Sequence, residues 1–417
     1  MQETSSLFTN DAVVFGLLMA ALAAIFYTSG QKEGFWQRFY GIVPALLLCY
    51  LIPAIFNSLG WISADTSQLY YVASRYLLPA SLVLMTLSIN LKAIVNLGPK
   101  ALIMFFTGTL GIIIGGPLAI LLISFVSPET VGGAGPDAIW RGLSTLAGSW
   151  IGGGANQAAM LEIYQYNPEK YGGMVLVDIV VANVWMAILL LGIGKTKRIN
   201  KWLKADNRAI TELKEKVTSF ADSVKRNPTL NDYMVMLGLA FGAVGIAHWG
   251  ASHAASWFEA IPKESALASF GSTFFWMITI ATIIGIGLSF TKAKNYEGAG
   301  ASKLGSIFIY ILVATIGMKM DLTTILDNPG LIAIGFVWMA IHAGLLILVA
   351  KLVKAPFFFL AVGSQANVGG AASAPVVAAE FHSSLASVGV LLAVFGYVVG
   401  TYGAILCTIL MEMAAAN

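Results

Sequence analysis

The sequence predicts an all-α polytopic membrane protein, and three observations support this fold class. They are the composition, apolar runs long enough to span a bilayer, and two shorter apolar segments that end in glycines. Of the 417 residues, 58% are hydrophobic and 11% are charged, whereas a soluble domain has about 25% charged residues. So few charges cannot cover a water-facing surface, and we expect the lipid bilayer to surround the chain.

The membrane spans are predicted from the length of the apolar runs. A bilayer core about 30 Å thick needs about 20 helical residues. The first set of runs covers 11–29, 39–56, 72–90, 101–126 and 173–194, and the second covers 232–249, 268–290, 304–320, 331–353 and 386–410. Each half of the chain therefore has about five predicted spans.

Each half also contains one apolar segment that is too short to span. Residues 142–151 run into Gly152-Gly153-Gly154, and residues 355–366 run into Gly369-Gly370 after Asn367. Ten helical residues cover about 15 Å, half of the bilayer core. Lipid cannot satisfy backbone groups freed at that depth, so each break must be buried in protein or line a watery cavity. Each segment is predicted to be a re-entrant or broken helix.

Similar motifs recur in the same order in the two halves. Asn10-Asp11 matches Asn231-Asp232, residues 86–91 resemble residues 317–322, and Gly148-Ser149 with Gly154 matches Gly363-Ser364 with Gly369. The order predicts an internal repeat, with a first membrane repeat at 1–194, a linker at 195–230 and a second membrane repeat at 231–417.

The distribution of Lys and Arg favours inverted halves, since short cytoplasmic loops are rich in these residues. If each glycine segment is re-entrant, one side carries Lys32, Arg38, Lys92, Lys100, the basic residues of 195–229, Lys292, Lys294, Lys303, Lys351 and Lys354, and the other carries only Arg75, Arg141, Lys170, Lys263 and Lys319. Parallel halves with fully crossing segments give a less biased distribution. The inverted arrangement places both termini outside a bacterial inner membrane.

The linker is predicted to be a cytoplasmic, basic, amphipathic helix. Ile210, Leu213, Val217, Phe220 and Val224 recur at spacings of three and four, which is one apolar stripe on a helix. A surface helix that joins the halves is the simpler interpretation, and a regulatory partner site is the alternative.

The sequence gives little support for an enzyme. It has no Walker A and no HExxH motif, and its four histidines are scattered. We expect no catalytic residues, no cofactor and no nucleic-acid partner.

The two glycine breaks are the predicted substrate site. The N-terminus of a half-helix offers free N–H groups and a positive dipole end to a carboxylate, and free carbonyls suit Na⁺. Close helix packing is the alternative role for these glycines, and it is the preferred one for Gly111-xxx-Gly115, Gly238-xxx-Gly242 and Gly396-xxx-Gly400. The predicted substrate-binding residues are Ser149, Gly152, Gly153, Gly154, Asn156, Gln157, Ser364, Gln365, Asn367, Gly369, Gly370 and Ser373.

Ionisable residues within spans are costly and are functional by default. Asp178, with Asn183 five residues later, is the candidate for cation coupling. The alternative is a carboxylate that is hydrogen-bonded to a neighbouring helix for packing. Glu162 and Glu380 follow the two breaks and either line the pathway or face water. His342 is interpreted as a hydrogen-bonded packing residue, with a proton-transfer role as the alternative.

The runs GSWIGGGANQAAMLE and GSQANVGGAASAPVVA, with the downstream span, resemble the YjcL-like family of bacterial membrane proteins, a domain of unknown function. That family is distantly similar to the sodium/glutamate symporters and to the cation–proton antiporter and bile-acid symporter group. The resemblance implies inverted repeats, broken helices in a core domain, a homodimer and alternating access. It points to Gly152, Gly153, Gly154, Asn156, Gln157, Gln365, Asn367, Gly369 and Gly370. Antiporters often carry paired core acids, whereas this sequence has only Asp178 at comparable depth.

These observations predict a secondary active transporter. The leading interpretation is symport of a small organic anion, amino acid or short peptide with a coupling cation, Na⁺ or H⁺. A cation/proton antiporter is the second interpretation. A non-transporting membrane enzyme or scaffold and a passive channel are the remaining ones.

Overall fold

The computed structural model describes residues 6–31, 33–40, 43, 45–64, 67–87, 94–95, 97–206, 210, 226–258, 271–320, 328–382 and 385–415. Within these ranges every regular element is a helix and no residue lies in a β-strand. The all-α polytopic fold class is confirmed.

The helices of the first half begin with α1 (Asp11–Ser29), α2 (Gly34–Tyr40), α3 (Ala45–Ser58), α4 (Leu69–Val72), a π-helical turn (Ala73–Leu77), α5 (Leu78–Leu87), α6 (Pro99–Ser124) and α7 (Pro128–Val131). They continue with α8 (Ile139–Gly152), α9 (Gly154–Tyr164) and α10 (Tyr171–Ile193). The linker helix α11 (Thr196–Leu203) follows.

The second half has its longer helices and its broken pair in the same order. Its helices are α12 (Leu230–Ser256), α13 (Thr273–Ser289), α14 (Ala301–Gly317), α15 (Gly330–Leu352), α16 (Phe357–Val368), α17 (Gly370–Phe381) and α18 (Ala386–Ala415). The broken pair α16–α17 holds the same place as the pair α8–α9 in the first half. The inverted orientation of the two halves stays a prediction.

Every predicted span has a helix at its place. Among the described residues, six helices are long and apolar enough to cross a membrane, or up to eight if each bent pair is one span. Even with both bent pairs counted, two of the ten predicted spans do not meet that length. The π-helical turn interrupts the span predicted at 72–90, and α14 has 17 residues, which reach about 25 Å.

One repeat motif is not equivalent in the structure. Asn10 is the N-cap of α1, where its side chain accepts a hydrogen bond from the Ala12 N–H at 2.8 Å. The cap of α12 is instead Thr229, which forms a capping box with Asp232. The two Asn-Asp pairs therefore hold different helix positions, and this match does not support the repeat.

The helices form two packed groups, and each group draws elements from both halves. The break bundle contains α6, α8, α9, α10, α15, α16, α17 and α18. The flanking bundle contains α1, α3, α5, α12, α13 and α14. The bundles touch mainly where α5 meets α9 and α18, where α9 meets α13, and where α3 meets α10. Helices α6 and α8–α10 of the first half and α15–α18 of the second half thus surround the two breaks.

Close packing explains two of the three small-residue motifs. A Cβ at Gly115 would lie 2.5 Å from Trp338 Cδ1, and a Cβ at Gly396 would lie 3.0 Å from the Ile151 carbonyl oxygen. The packing prediction fails within this chain for Gly238 and Gly242, because a Cβ at either position would have no atom of the described residues within 4 Å. Both lie on the exposed face of α12.

The linker is described only in part. Helix α11 places Asn200 against the break bundle, where its Oδ1 accepts a hydrogen bond from the Phe357 N–H at 2.8 Å. Lys100 pairs with Asp206 at 3.1 Å. Of the predicted stripe, Ile210 packs against the core, and Leu213, Val217, Phe220 and Val224 lie outside the described residues.

Candidate functional site

Each helix break is built on a glycine with positive φ. At the first break, Gly153 has φ +79° and ψ −171° and separates α8 from α9. At the second break, Gly370 has φ +57° and begins α17. Residues other than glycine rarely adopt these backbone conformations. The glycines that ended the apolar segments in the sequence therefore produce the two breaks.

The two breaks lie against each other inside the break bundle. A Cβ at Gly370 would lie 3.9 Å from the Gly153 Cα, and a Cβ at Gly400 of α18 would lie 2.6 Å from the Gly152 Cα. Gly153 faces the Tyr397 ring, and Gly154 faces Ile309 of the flanking bundle. The N-termini of α9 and α17 consequently start side by side, next to the surface where the bundles meet.

Asp178 ties the two sides of the first break together. Its Oδ2 accepts hydrogen bonds from Ser149 Oγ at 2.8 Å and Gln157 Nε2 at 3.1 Å, and its Oδ1 accepts one from Trp150 Nε1 at 2.7 Å. All four side chains are buried. Ser149 and Trp150 belong to α8 and Gln157 to α9, so one carboxylate on α10 holds both half-helices.

Asn183 does not join this cluster. Five residues along a helix turn a side chain by about 140°. Asn183 is accordingly exposed on the other side of α10, where its Nδ2 donates to the Ile179 carbonyl oxygen at 2.7 Å. The structure does not bring it to Asp178, with which the sequence grouped it.

The Asn156 side chain links the first break to α18 through its amide nitrogen, whereas its amide oxygen remains available as an acceptor. Its Nδ2 donates to Thr401 Oγ1 at 2.7 Å and to the Tyr397 carbonyl oxygen at 3.3 Å. Its Oδ1 is buried and has no hydrogen-bond partner among the described residues. A buried acceptor without a partner is costly, which makes this oxygen a candidate ligand atom.

The second break has a matching donor in Gln365. Its Oε1 accepts a hydrogen bond from Ser373 Oγ at 2.6 Å, so the side chain spans the break from α16 to α17. Its Nε2 is buried without a partner in the described part of the chain. Gly369 is required beside it, because a Cβ there would collide with Ser373 Oγ.

Ser364 and Asn367 are fully occupied by the surrounding helices. Ser364 Oγ lies 2.8 Å from His342 Nε2 and accepts a hydrogen bond from Trp185 Nε1 at 2.8 Å. Asn367 Nδ2 donates to the Phe105 and Gly363 carbonyl oxygens, and its Oδ1 accepts from Thr109 Oγ1 at 2.7 Å. These residues hold α16 in place and are not available to a ligand.

The acidic residues that follow the two breaks have different surroundings. Glu162 is buried and pairs with Arg75 Nη1 at 2.7 Å, and it also accepts a hydrogen bond from the Tyr70 hydroxyl. Glu380 is exposed. His342 is buried, and its Nδ1 lies 3.0 Å from the Gly108 carbonyl oxygen, which agrees with a hydrogen-bonded packing residue.

The sequence interpretation missed several partners of these groups. Trp150, Trp185, Thr109 and Thr401 complete the polar contacts around the breaks. An indole N–H in an apolar span needs a partner, and this signal could have drawn attention to the two tryptophans. Arg75 lies inside a predicted span, and that position is a functional signal beyond its place among the loop charges.

The fold and these buried contacts define a polytopic helical membrane protein with two adjoining broken helices. The chain belongs to the family described as "Protein of unknown function (DUF819)", whose model matches residues 16–414. It is 25% identical over 406 residues to the "Uncharacterized membrane protein YjcL" of Bacillus subtilis (strain 168), which covers 94% of this chain and 95% of that protein.

Proposed function

We propose that this protein is a secondary active transporter that carries a small organic anion, amino acid or short peptide together with a cation. The observation that carries the proposal is the meeting of two broken helices, each with one buried amide atom that lacks a partner among the described residues. Paired discontinuous helices near the bilayer midplane are the recurrent binding-site architecture of secondary transporters.

The two unpartnered atoms favour different ligands. Gln365 Nε2 is a donor and lies beside the N-terminus of α17, whose N–H groups and dipole attract an anion. Asn156 Oδ1 is an acceptor, and a neutral carbonyl oxygen is a suitable ligand for Na⁺. We call the place where the two helix breaks meet the crossing. We assign the substrate carboxylate to its Gln365 side and the coupling cation to its Asn156 side.

Several of the remaining predicted site residues form hydrogen bonds that hold the broken helices in place and do not contact a ligand in this proposal. Ser149 and Gln157 hold Asp178, and Ser364 holds His342. We therefore assign Asp178 to keeping the first break in shape, a role that affects cation coupling only indirectly. Proton antiport receives less support, because three donors already occupy the Asp178 oxygens.

The two bundles support a proposal of alternating access. The break bundle carries both half-helix pairs, and Gly154 faces Ile309 of the flanking bundle. Movement of the break bundle along the flanking bundle would expose the crossing first to one side of the membrane and then to the other. The homodimer, both termini outside, and the inner-membrane location stay predictions.

The test is the thermal stability of the purified protein in Na⁺ and in K⁺ buffer, with amino acids, dipeptides and dicarboxylates added singly. A ligand of the folded state raises its apparent stability by mass action. We expect one compound class to raise the melting temperature only in Na⁺. Stabilisation by neither ion nor compound, at any pH between 5 and 8, would contradict the proposal.

A further inference from the structure

A second polar site lies away from the helix breaks, where the two bundles meet at the far end of α9. A cavity of about 690 Å³ opens there, and its wall includes Tyr70, Arg75, Glu162, Gln165, Asn167 and Lys319. Arg75 and Lys319 belong to the flanking bundle and its loops, and Glu162 lies on α9 of the break bundle. The cavity therefore has two cationic side chains on one wall and a buried carboxylate on the other.

Arg75 is held in position by its own bundle. The π-helical turn Ala73–Leu77 presents it, the guanidinium lies 4.5 Å from the Phe274 ring centroid, and its Nη1 donates to Ser74 Oγ at 3.1 Å. His248 Nε2 lies 2.9 Å from the Arg75 carbonyl oxygen. These contacts do not involve Glu162, so the guanidinium keeps its place without that carboxylate.

The guanidinium can bind a further carboxylate on the cavity side. Its hydrogen bonds among the described residues all use Nη1, and 25% of the side chain is exposed. Arg presents five N–H donors in a planar fork that matches a carboxylate. The Glu162 side chain, by contrast, is only 8% exposed. An anion that enters the cavity meets the open edge of the guanidinium first.

The Arg75–Glu162 contact also joins the two bundles. Of the ion pairs in the described part of the chain, it alone links the break bundle to the flanking bundle. The Tyr70 hydroxyl makes the same connection to Glu162. A ligand that took over Arg75 would remove a bond that holds the bundles together at this face.

We propose that this cavity is a binding site for small carboxylate anions, in which the ligand competes with Glu162 for Arg75. Binding itself is independent of the proposed function. Only the further consequence, that a carboxylate releases the break bundle for movement, rests on it.

Succinate binding to the protein in a neutral maltoside detergent tests the site, with succinamide as the uncharged control and constant Na⁺ and ionic strength. We expect succinate but not succinamide to bind. Glu162→Gln removes the competitor and should bind succinate about tenfold more tightly, whereas Arg75→Gln should bind it at least about tenfold more weakly. Arg75→Lys, which keeps the charge and loses the fork, should fall between wild type and Arg75→Gln.

Asp137→Asn is the matched control, since it removes a carboxylate near the same face that pairs with Lys170 and not with Arg75. Its succinate affinity should equal that of the wild type. Equal affinity in all variants, or weaker binding in both Arg75→Gln and Glu162→Gln, would overturn the proposal. The Arg75–Glu162 ion pair would then have only a structural role. Because binding is measured without a membrane, succinate binding in the absence of any cation-driven uptake would retain this site and refute the transporter.

Discussion

Gln157 Nε2 lies 3.1 Å from the Asp178 Oδ2 atom, across the glycine break from the other groups that bind the same carboxylate. Ser149 and Trp150 reach Asp178 from the helix before the break. The break is therefore a braced structure, in which one carboxylate connects side chains of the two half-helices that the break separates. This bracing leads to predictions about stability that are separate from transport.

Replacing Asp178 by alanine should destabilise the protein by about 3 kcal/mol, because three buried donors lose their acceptor. Asp178→Asn should cost less, since an amide oxygen still accepts one of the hydrogen bonds. The measurement is thermal unfolding in detergent. Asn183→Ala on the exposed side of the same helix is the control and should change stability by less than about 0.5 kcal/mol. Equal effects of Asp178→Ala and Asn183→Ala would show that Asp178 does not brace the break.

The break glycines should not tolerate a Cβ. Gly153→Ala forces alanine to φ +79° and ψ −171°, a region that costs about 1–3 kcal/mol for residues other than glycine. Gly16→Ala in the middle of α1 is the control, because no atom of the described residues lies within 4 Å of a Cβ there, and it should be neutral or slightly stabilising. Melting curves of the two variants provide the comparison, and a stable Gly153→Ala protein would argue against this break geometry.

Two of the three GxxxG motifs should respond differently to the same substitution. Gly115→Ala places a methyl group 2.5 Å from Trp338 Cδ1, and such overpacking costs about 1–3 kcal/mol. Gly242→Ala on the exposed face of α12 has no described neighbour within 4 Å in this chain and should not destabilise the monomer. Loss of stability in Gly242→Ala that depends on protein concentration would instead reveal the homodimer contact.

The ion pair between Asp137 and Lys170, which lie just before α8 and α10, gives a pH prediction. Hydrogen bonds from Lys170 and then Asn167 lower the pKa of the Asp137 carboxyl below its ordinary value. A carboxyl with a lowered folded pKa adds stability above its unfolded pKa and loses it as the pH falls through the folded one. Asp137→Asn should therefore be slightly less stable than wild type at neutral pH, and the difference should vanish well below pH about 3.9. A difference that persisted in acid would exclude the ion pair as its cause.

The sequence predicted the membrane fold because the signals for helices in lipid are local. Apolar length located the spans, and Gly153 and Gly370 located the breaks, since each needs a backbone conformation that glycine allows. The span at 72–90 was less accurate because a π-helical turn at Ala73–Leu77 has no comparable local signal.

The partners of the polar residues depend on how distant helices pack, and here the sequence was a weaker guide. Asn156 contacts Thr401, which is far away in the sequence. Arg75 contacts Glu162 from the other bundle. Only helix periodicity separates Asn183 from Asp178, because five residues turn the side chain to another face. The same periodicity could not have separated Gln365, which keeps a buried donor without a described partner, from Asn367, whose amide is saturated.

Uptake into proteoliposomes by the wild type and Gln365→Leu tests the transporter most directly. The probe is whichever compound raises the melting temperature in Na⁺, applied as a labelled solute under an inward Na⁺ gradient. Gln365→Leu removes a buried donor that has no partner among the described residues and also the hydrogen bond from Ser373 Oγ. These two changes have opposite effects on stability, so the variant should melt close to the wild-type temperature and yet show no uptake. Uptake in Gln365→Leu equal to that of the wild type, or no Na⁺-driven uptake by the wild type, would contradict a substrate site at the crossing of the broken helices.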